Sequence, residues 1–205
     1  MKPTDISLPL VAILRGLAPQ DAGAVGQALF GAGFRLLEVP LNRPGAIEAM
    51  RILLAMAPDD AIVGGGTMLS VADVDAVADA GGRMFVAPNC NPAVIAHAAA
   101  RGLLCMPGVA TPTEAFAALE AGAQVLKLFP AESIGPAGLK AIKSVLPEGT
   151  PLWPVGGVTP AQIADWKAAG AGGAGIGSQL YAPGTAPDEV ARRAAAFVAA
   201  WRAGS

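Results

Sequence analysis

The segment LLCMPGVATPTEAFAALEAGAQVLKLFP, residues 103–130, contains one complete copy of the unit from which the fold can be predicted. The short apolar run at 103–106 predicts a buried strand, and a second such run follows at 124–129. Between them lies an alanine-rich amphipathic stretch at 112–121, which Thr111 precedes as a helix-capping residue. A strand, a helix and a strand in this order predict a parallel pair, because the helix returns the chain to the starting edge of the sheet.

The same unit repeats along the chain eight times. Eight such units predict a parallel sheet closed into a (β/α)8 barrel, with residues 1–205 forming a single domain. A doubly wound open sheet is the alternative, but residues 15–19 after the first predicted strand, RGLAP, do not form a GxGxxG nucleotide-binding turn. The predicted strands are Leu8–Leu14, Arg35–Val39, Ala61–Gly64, Met84–Ala87, Leu103–Met106, Gln124–Phe129, Pro151–Val155 and Gly173–Gly177, and the predicted helices cover 19–32, 44–57, 70–80, 92–101, 112–121, 136–146, 160–169 and 187–202.

The composition predicts extensive burial and excludes several classes of partner. Hydrophobic residues make up 53% of the 205 residues, charged residues make up 15%, and the formal net charge is −2. We expect no nucleic-acid partner, since no basic run with interleaved aromatic residues is present. We expect no membrane association and a cytoplasmic location, because no apolar stretch reaches membrane-spanning length and residues 1–5 lack a signal-peptide pattern. Cys90 and Cys105 lack the spacing of a zinc or redox motif and are predicted to be reduced thiols.

Lys127 lies in the middle of the apolar run at 124–130. Burial of an ammonium group is unfavourable unless the group is paired or loses its proton, so a buried lysine is expected to have a lowered pKa. A neutral amine attacks ketones and aldehydes and forms a Schiff base. Period-two alternation places Phe129 on the same face as Lys127. The alternative is a lysine that reaches solvent from the end of the strand.

Glu38 is, like Lys127, a charged residue with apolar neighbours near the end of a predicted strand. The second and sixth strands lie opposite each other in an eight-stranded ring, so Glu38 and Lys127 would face each other across its axis if both pointed inward. A carboxylate in this position can transfer the protons that Schiff-base chemistry requires. The alternative is a buried ion pair with only a structural role.

Glycine-containing loops follow the seventh and eighth predicted strands. Gly156 and Gly157 follow the seventh strand, and Gly177 and Ser178 follow the eighth. Backbone N–H groups in such loops bind phosphate, and phosphate-binding barrels place the site at these two strands. The alternative for either loop alone is an ordinary tight turn.

A third glycine loop, residues 64–67, follows the third predicted strand and suggests a second anion-binding group. Gly66 and Thr67 are candidates for binding a carboxylate, with Arg15 after the first strand as its counterion. The alternative for Arg15 is a solvent-facing side chain. His97, the only histidine, lies in a predicted helix and is expected to have a packing or surface role.

The residues leave three hypotheses about function. No metal-ligand cluster and no serine or zinc protease motif is visible, so the residues favour covalent amine catalysis with no metal or organic cofactor. An isomerase or epimerase of phosphosugars would use the same glycine loops without a covalent intermediate. A non-catalytic barrel that binds a phosphorylated ligand is the third possibility.

Several segments together resemble the 2-keto-3-deoxy-6-phosphogluconate and 6-phosphogalactonate aldolases, essentially from end to end. The resemblance implies a (β/α)8 class I aldolase without a cofactor, a homotrimer, and a small-molecule substrate that is a phosphorylated keto-deoxy sugar acid. The segments that carry the resemblance are Glu38-Val39-Pro40-Leu41-Asn42, Gly64-Gly65-Gly66-Thr67, Val86-Ala87-Pro88-Asn89, Pro107-Gly108-Val109-Ala110-Thr111, Leu126-Lys127-Leu128-Phe129-Pro130-Ala131 and Pro154-Val155-Gly156-Gly157-Val158.

The resemblance also implies roles for individual residues. It assigns the Schiff-base lysine to Lys127 and the general acid/base to Glu38. It assigns pyruvate contacts to Thr67 and Pro88. The remaining residues expected to contact the substrate are Arg15, Asn42, Gly66, Phe129, Val155, Gly156, Gly157, Gly177 and Ser178.

Two positions separate the branches of this family. The gluconate branch has an arginine where this chain has Asn42 and a threonine where this chain has Val155. Pro40, Asn42 and Val155, together with Arg15, resemble the galactonate branch. The expected substrate is therefore 2-dehydro-3-deoxy-6-phosphogalactonate, and the alternatives are its gluconate epimer and 4-hydroxy-2-oxoglutarate.

Overall fold

The chain folds as an alternating series of parallel strands and helices, described over residues 6–203 in a computed structural model. The strands are β1 Leu10–Ile13, β2 Leu36–Pro40, β3 Ile62–Gly66, β4 Met84–Val86, β5 Leu104–Met106, β6 Gly108–Val109, β7 Leu126–Leu128, β8 Leu152–Pro154 and β9 Ala174–Ile176. The helices are α1 Pro19–Gly31, α2 Ala46–Met56, α3 Val71–Asp79, α4 Pro92–Ala100, α5 Pro112–Glu120, α6 Ala131–Lys143, α7 Ile163–Ala168 and α8 Pro187–Ala203. Residues 1–5, which are expected to lack a signal-peptide pattern, lie outside the described residues.

The strands form two curled parallel sheets. The larger sheet has the order β5-β4-β3-β2-β1-β9, and the smaller has the order β6-β7-β8. Only Pro107 separates β5 from β6, and a single parallel bridge joins Val155 to Gly175 beside β8 and β9. The predicted parallel α/β architecture is confirmed. The short strand β6 was not predicted, since the fifth predicted strand ended at Met106. Pro107, which has no N–H to donate to a neighbouring strand, lies between β5 and β6.

Three helices, α3, α4 and α5, begin at a residue whose side chain caps the first turn. Ser70 and Thr111 form capping boxes with Asp73 and Glu114, and the side chain of Asn91 accepts a hydrogen bond from the N–H of Ala93. These contacts satisfy backbone donors that the first helical turn leaves unpaired.

Two predicted helices begin differently in the structure. The predicted helix at 160–169 begins as a 3-10 turn at Pro160–Gln162, and α7 starts only at Ile163. The helix predicted at 136–146 begins earlier, at Ala131, and is interrupted at Gly135, where φ is 73°. Glycine tolerates this left-handed conformation, so the chain can turn there without ending the helical segment. The first turn of α6 therefore lies beside the carboxyl end of β7.

The buried side chains form two layers on opposite faces of the strands. The larger cluster packs strand residues such as Leu37 and Leu126 against helix residues such as Leu29. The smaller cluster lies on the other face and its fully buried members all come from the strands or their immediate ends: Val11, Ile13, Leu36, Ile62, Met84, Val86, Leu104, Met106, Val125, Trp153 and Val155. Because side chains alternate along a strand, the face that carries this inner cluster also carries the residues two positions further along β2 and β7.

Candidate active site

Glu38 and Lys127 are the charged residues among the buried side chains of residues 6–203. Glu38 is two residues beyond Leu36 on β2, and Lys127 is two residues beyond Val125 at β7, so both follow the inner cluster. Glu38 is 1% exposed and Lys127 is 7% exposed. Lys127 therefore does not reach solvent freely, in contrast to the alternative considered from the sequence.

The electrostatics of the two groups are coupled. Burial lowers the pKa of Lys127, the charge of Glu38 opposes this, and Arg15 adds to the lowering. Burial raises the pKa of Glu38, and the charges of Lys127 and Arg15 oppose the rise. Desolvation is the largest cause of the pKa shift of both groups, so the neutral amine and the neutral acid form more readily here than in water. The Lys127 Nζ also lies 5.1 Å from the centroid of the Phe129 ring.

Gly66 provides the space that the Glu38 carboxylate occupies. A Cβ atom added at Gly66 would lie 1.3 Å from Oε2 of Glu38. Oε2 is buried and accepts no hydrogen bond from residues 6–203. A buried carboxylate oxygen without a partner is unfavourable, which is typical of a group kept for chemistry. Gly66 thus acts on Glu38, whereas the sequence suggested a direct role in anion binding.

A cavity of about 290 Å³ opens beside Lys127, at the edge where the strands end. This volume is close to the lower limit of about 300 Å³ for typical small-molecule sites. The loops that follow β1, β7, β8 and β9 form its walls. The predicted site residues that line it are Arg15, Lys127, Phe129, Val155, Gly156, Gly157, Gly177 and Ser178.

The other predicted site residues lie at the same edge but outside the lining of this cavity. Asn42 is exposed after β2, Thr67 directly follows β3, and Pro88 follows β4. Thr67 has a φ of 54°, a left-handed conformation that is unusual for a β-branched residue. Glu38 does not line the cavity either, although its charge acts on Lys127.

Among the lining residues that sequence reasoning missed, two carry titratable side chains, Glu132 and Tyr181. Glu132 lies outside the predicted elements, because the sixth helix was predicted to begin at 136. Its position two residues after Pro130, at the end of a strand, was the available signal. Tyr181 is 2% exposed and its hydroxyl has no hydrogen-bond partner among the described residues. Burial and the charge of Asp21 raise the pKa of Tyr181.

The remaining candidates from the sequence have other surroundings. His97 on α4 contacts Asp75 on α3 at 2.9 Å. Burial raises the pKa of the Cys105 thiol to about 12, so this cysteine is a poor nucleophile. Within residues 6–203, no group of three or more metal-binding side chains occurs and no helix is long and apolar enough to cross a membrane.

Comparisons with known proteins show a similarity that covers most of the chain and is not confined to the site residues. The family described as KDPG and KHG aldolase matches residues 6–192. A probable 2-dehydro-3-deoxy-6-phosphogalactonate aldolase of Rhizobium meliloti (strain 1021) is 48% identical over 195 residues, which cover 95% of this chain and 92% of that protein. The 2-dehydro-3-deoxy-6-phosphogalactonate aldolase of Escherichia coli (strain K12) is 47% identical over 195 residues, which cover 95% of each. A solved structure described as native KDPGal has a TM-score of 0.95 at 46% identity and covers 97% of this chain and 96% of its own.

Proposed function

This chain belongs to the KDPG and KHG aldolase family, and we propose that it cleaves 2-dehydro-3-deoxy-6-phosphogalactonate to pyruvate and D-glyceraldehyde 3-phosphate. The family resemblance inferred from the sequence is confirmed, and both relatives described above carry the name of this aldolase. The observation that carries the proposed mechanism is the burial of Lys127 and Glu38 within electrostatic reach of each other, beside a cavity at the carboxyl ends of the strands.

In this mechanism Lys127 forms the covalent intermediate. Its neutral amine attacks the C2 ketone of the substrate and gives a carbinolamine. Glu38, in its protonated form, donates a proton to the departing C2 hydroxyl, which leaves as water. A protonated imine remains at Lys127 and Glu38 is now a carboxylate. The raised pKa of Glu38 favours this first role as an acid.

Glu38 then acts as a base in the cleavage step. Its carboxylate takes the proton of the C4 hydroxyl, the C3–C4 bond breaks, and the electron pair moves to the imine nitrogen. D-glyceraldehyde 3-phosphate leaves with a new C4 carbonyl, and an enamine remains on Lys127. Glu38 returns its proton to C3 and becomes a carboxylate again. Water then hydrolyses the resulting protonated imine, which releases pyruvate, restores the neutral amine of Lys127 and gives the proton that is set free back to Glu38.

The other predicted residues have binding roles in this proposal. Arg15 supplies a cation in the cavity. Gly156, Gly157, Gly177 and Ser178 bind the phosphate through their loops, and two consecutive left-handed glycines at 156 and 157 support this role. The family resemblance adds pyruvate contacts from Thr67 and Pro88, while Asn42 and Val155 are the residues proposed to favour the galactonate epimer.

We infer that the two sheets are arcs of one closed (β/α)8 barrel. Three features support this inference: Pro107 alone separates β5 from β6, the N–H of Lys127 bonds to the carbonyl of Pro107 at 3.0 Å, and Val155 pairs with Gly175 between β8 and β9. Counted as one strand, β5 and β6 make the total eight. A crystal structure with an open gap between β8 and β9 would contradict the closed ring.

The homotrimer and the cytoplasmic location implied from the sequence remain predictions. Assembly would cover large hydrophobic side chains such as Leu69 and Phe116, which are 51% and 42% exposed in the isolated chain. Sedimentation equilibrium should give three times the mass of the chain. Cell fractionation with an antibody against the chain tests the location.

Reductive trapping tests the proposed mechanism. Pyruvate and borohydride should add a stable mass to the chain, and peptide mapping should find it at Lys127. Lys143, which bonds to the carbonyl of Gly170, is an internal control and should stay unmodified. An unmodified Lys127 under conditions in which the chain cleaves the substrate would refute the covalent mechanism and favour a non-covalent alternative.

A further inference from the structure

Glu132 places a carboxylate directly against the loop that follows β8. A Cβ atom added at Gly156 would lie 2.5 Å from Oε2 of Glu132, and one added at Gly157 would lie 2.9 Å from the same oxygen. The carboxylate therefore fills the space above both glycines. The Ala131 N–H beside it donates to the carbonyl of Val155 at 2.9 Å, which holds the start of α6 against this loop.

This carboxylate conflicts with the charge of the proposed substrate. Gly156 and Gly157 are the residues proposed to bind the phosphate, and Glu132 is the one acidic side chain among the described residues that line the cavity. Two anions in contact repel each other, more strongly in a site partly shielded from water than in bulk solvent. A phosphate group can bind at the loop only if the exposed Glu132 side chain moves away.

We propose that Glu132 is a specificity-determining residue that reduces the preference of the site for a phosphorylated over an unphosphorylated keto-deoxy acid. This inference rests on the proposed function. A phosphate dianion only accepts hydrogen bonds and must displace the carboxylate, which weakens its binding. The terminal hydroxyl of an unphosphorylated substrate can donate a hydrogen bond to the same carboxylate, which strengthens its binding.

A purely structural role makes a different prediction. Glu132 is in the first turn of α6, where an acidic side chain interacts favourably with the helix dipole. In that case its replacement would lower the melting temperature and leave the choice between substrates unchanged. The substrate ratio is therefore the measurement that separates the two roles.

The experiment compares kcat/KM for 2-dehydro-3-deoxygalactonate with and without the 6-phosphate. Glu132→Gln keeps the size of the side chain and removes its charge, and it should raise the ratio in favour of the phosphorylated acid by about tenfold, mainly through KM. Glu132→Ala should change the ratio in the same direction. Glu148→Gln is the matched control, because it makes the same charge change on an exposed residue before β8, at the opposite edge of the sheet.

Each outcome of this experiment either supports or overturns the proposed role of Glu132. A ratio within twofold of the wild-type value in both Glu132 variants, or a lower ratio, overturns the inference. An equal increase in the Glu148→Gln variant also overturns it, since net charge alone would then explain the effect. Pyruvate lacks the distal group, so its reductive trapping should be unchanged in Glu132→Gln. A wild-type chain that neither traps pyruvate nor cleaves either acid refutes the proposed function itself, and this inference with it.

Discussion

Replacing Gly66 with alanine tests whether the position of the Glu38 carboxylate controls the rate. The alanine Cβ would lie 1.3 Å from Oε2 and 2.5 Å from Cδ of Glu38. Since non-bonded atoms do not approach this closely, the carboxylate must move by roughly 1.7 Å or more before the distance between the alanine Cβ and Oε2 becomes a normal non-bonded contact. The φ of Gly66 is not in the left-handed region, so alanine can adopt the backbone conformation.

The expected loss follows from this displacement. Misplacing a reacting group by about 1 Å can reduce the rate about 10²-fold, and general acid/base catalysis contributes about 10²–10⁴-fold in total. Gly66→Ala should therefore lower kcat by about 10²–10³-fold. Pyruvate released from 2-dehydro-3-deoxy-6-phosphogalactonate is the measured product, and the melting temperature confirms that the variant is folded.

Two comparisons make the Gly66 result specific. Gly23→Ala on α1 is the control, because apart from its chain neighbours and the backbone of its own helix no atom lies within 4 Å of an added Cβ there. This variant should keep kcat within twofold of wild type. In a Glu38→Ala background the carboxylate is absent, so adding Gly66→Ala should change kcat by less than about twofold. If Gly66→Ala retains more than half of the wild-type kcat, or costs the same factor in both backgrounds, the carboxylate does not act as described.

Three further predictions concern the buried charges and one helix cap. Glu38→Gln should lower turnover by about 10²–10⁴-fold. Because the charge of Glu38 favours the ammonium form of Lys127, the same variant should lower the pH at which pyruvate and borohydride trap Lys127, whereas Arg15→Ala should raise that pH. Shifts of the opposite sign would contradict the electrostatic coupling of these groups. The folded-state pKa of Lys127 is lowered, so wild-type stability should rise with pH between that value and 10.5. Replacing both buried charges by apolar side chains, in the double change Glu38→Leu with Lys127→Met, should stabilise the fold by about 1–4 kcal/mol at neutral pH in calorimetry. A loss of stability would contradict a net cost of the pair. Ser70→Ala breaks the capping box of α3 and should lower the free energy of unfolding by about 1 kcal/mol in a urea titration, while kcat stays unchanged. A change in the free energy of unfolding of less than about 0.3 kcal/mol would contradict a stabilising role of this cap.

Most elements and the faces of the strands could be predicted from the sequence. Apolar runs and amphipathic stretches mark strands and helices locally, because side-chain period follows backbone geometry within each element. The same period put Lys127 on the face of Val125 and Glu38 on the face of Leu36, which is where both residues lie.

The way in which the strand ends and loops meet could not be predicted from the sequence and became visible in the folded chain. The space at Gly66 belongs to a side chain from β2, and the surface above Gly156 and Gly157 belongs to Glu132 from α6. No local pattern encodes such contacts, since they depend on the curl of the sheet and on backbone turns such as the one at Gly135. For the same reason, the sequence could not predict which of the candidate site residues line one common cavity. Arg15 and Ser178 both line it, whereas Asn42 and Pro88 follow strands at the same edge of the sheet and lie outside its lining.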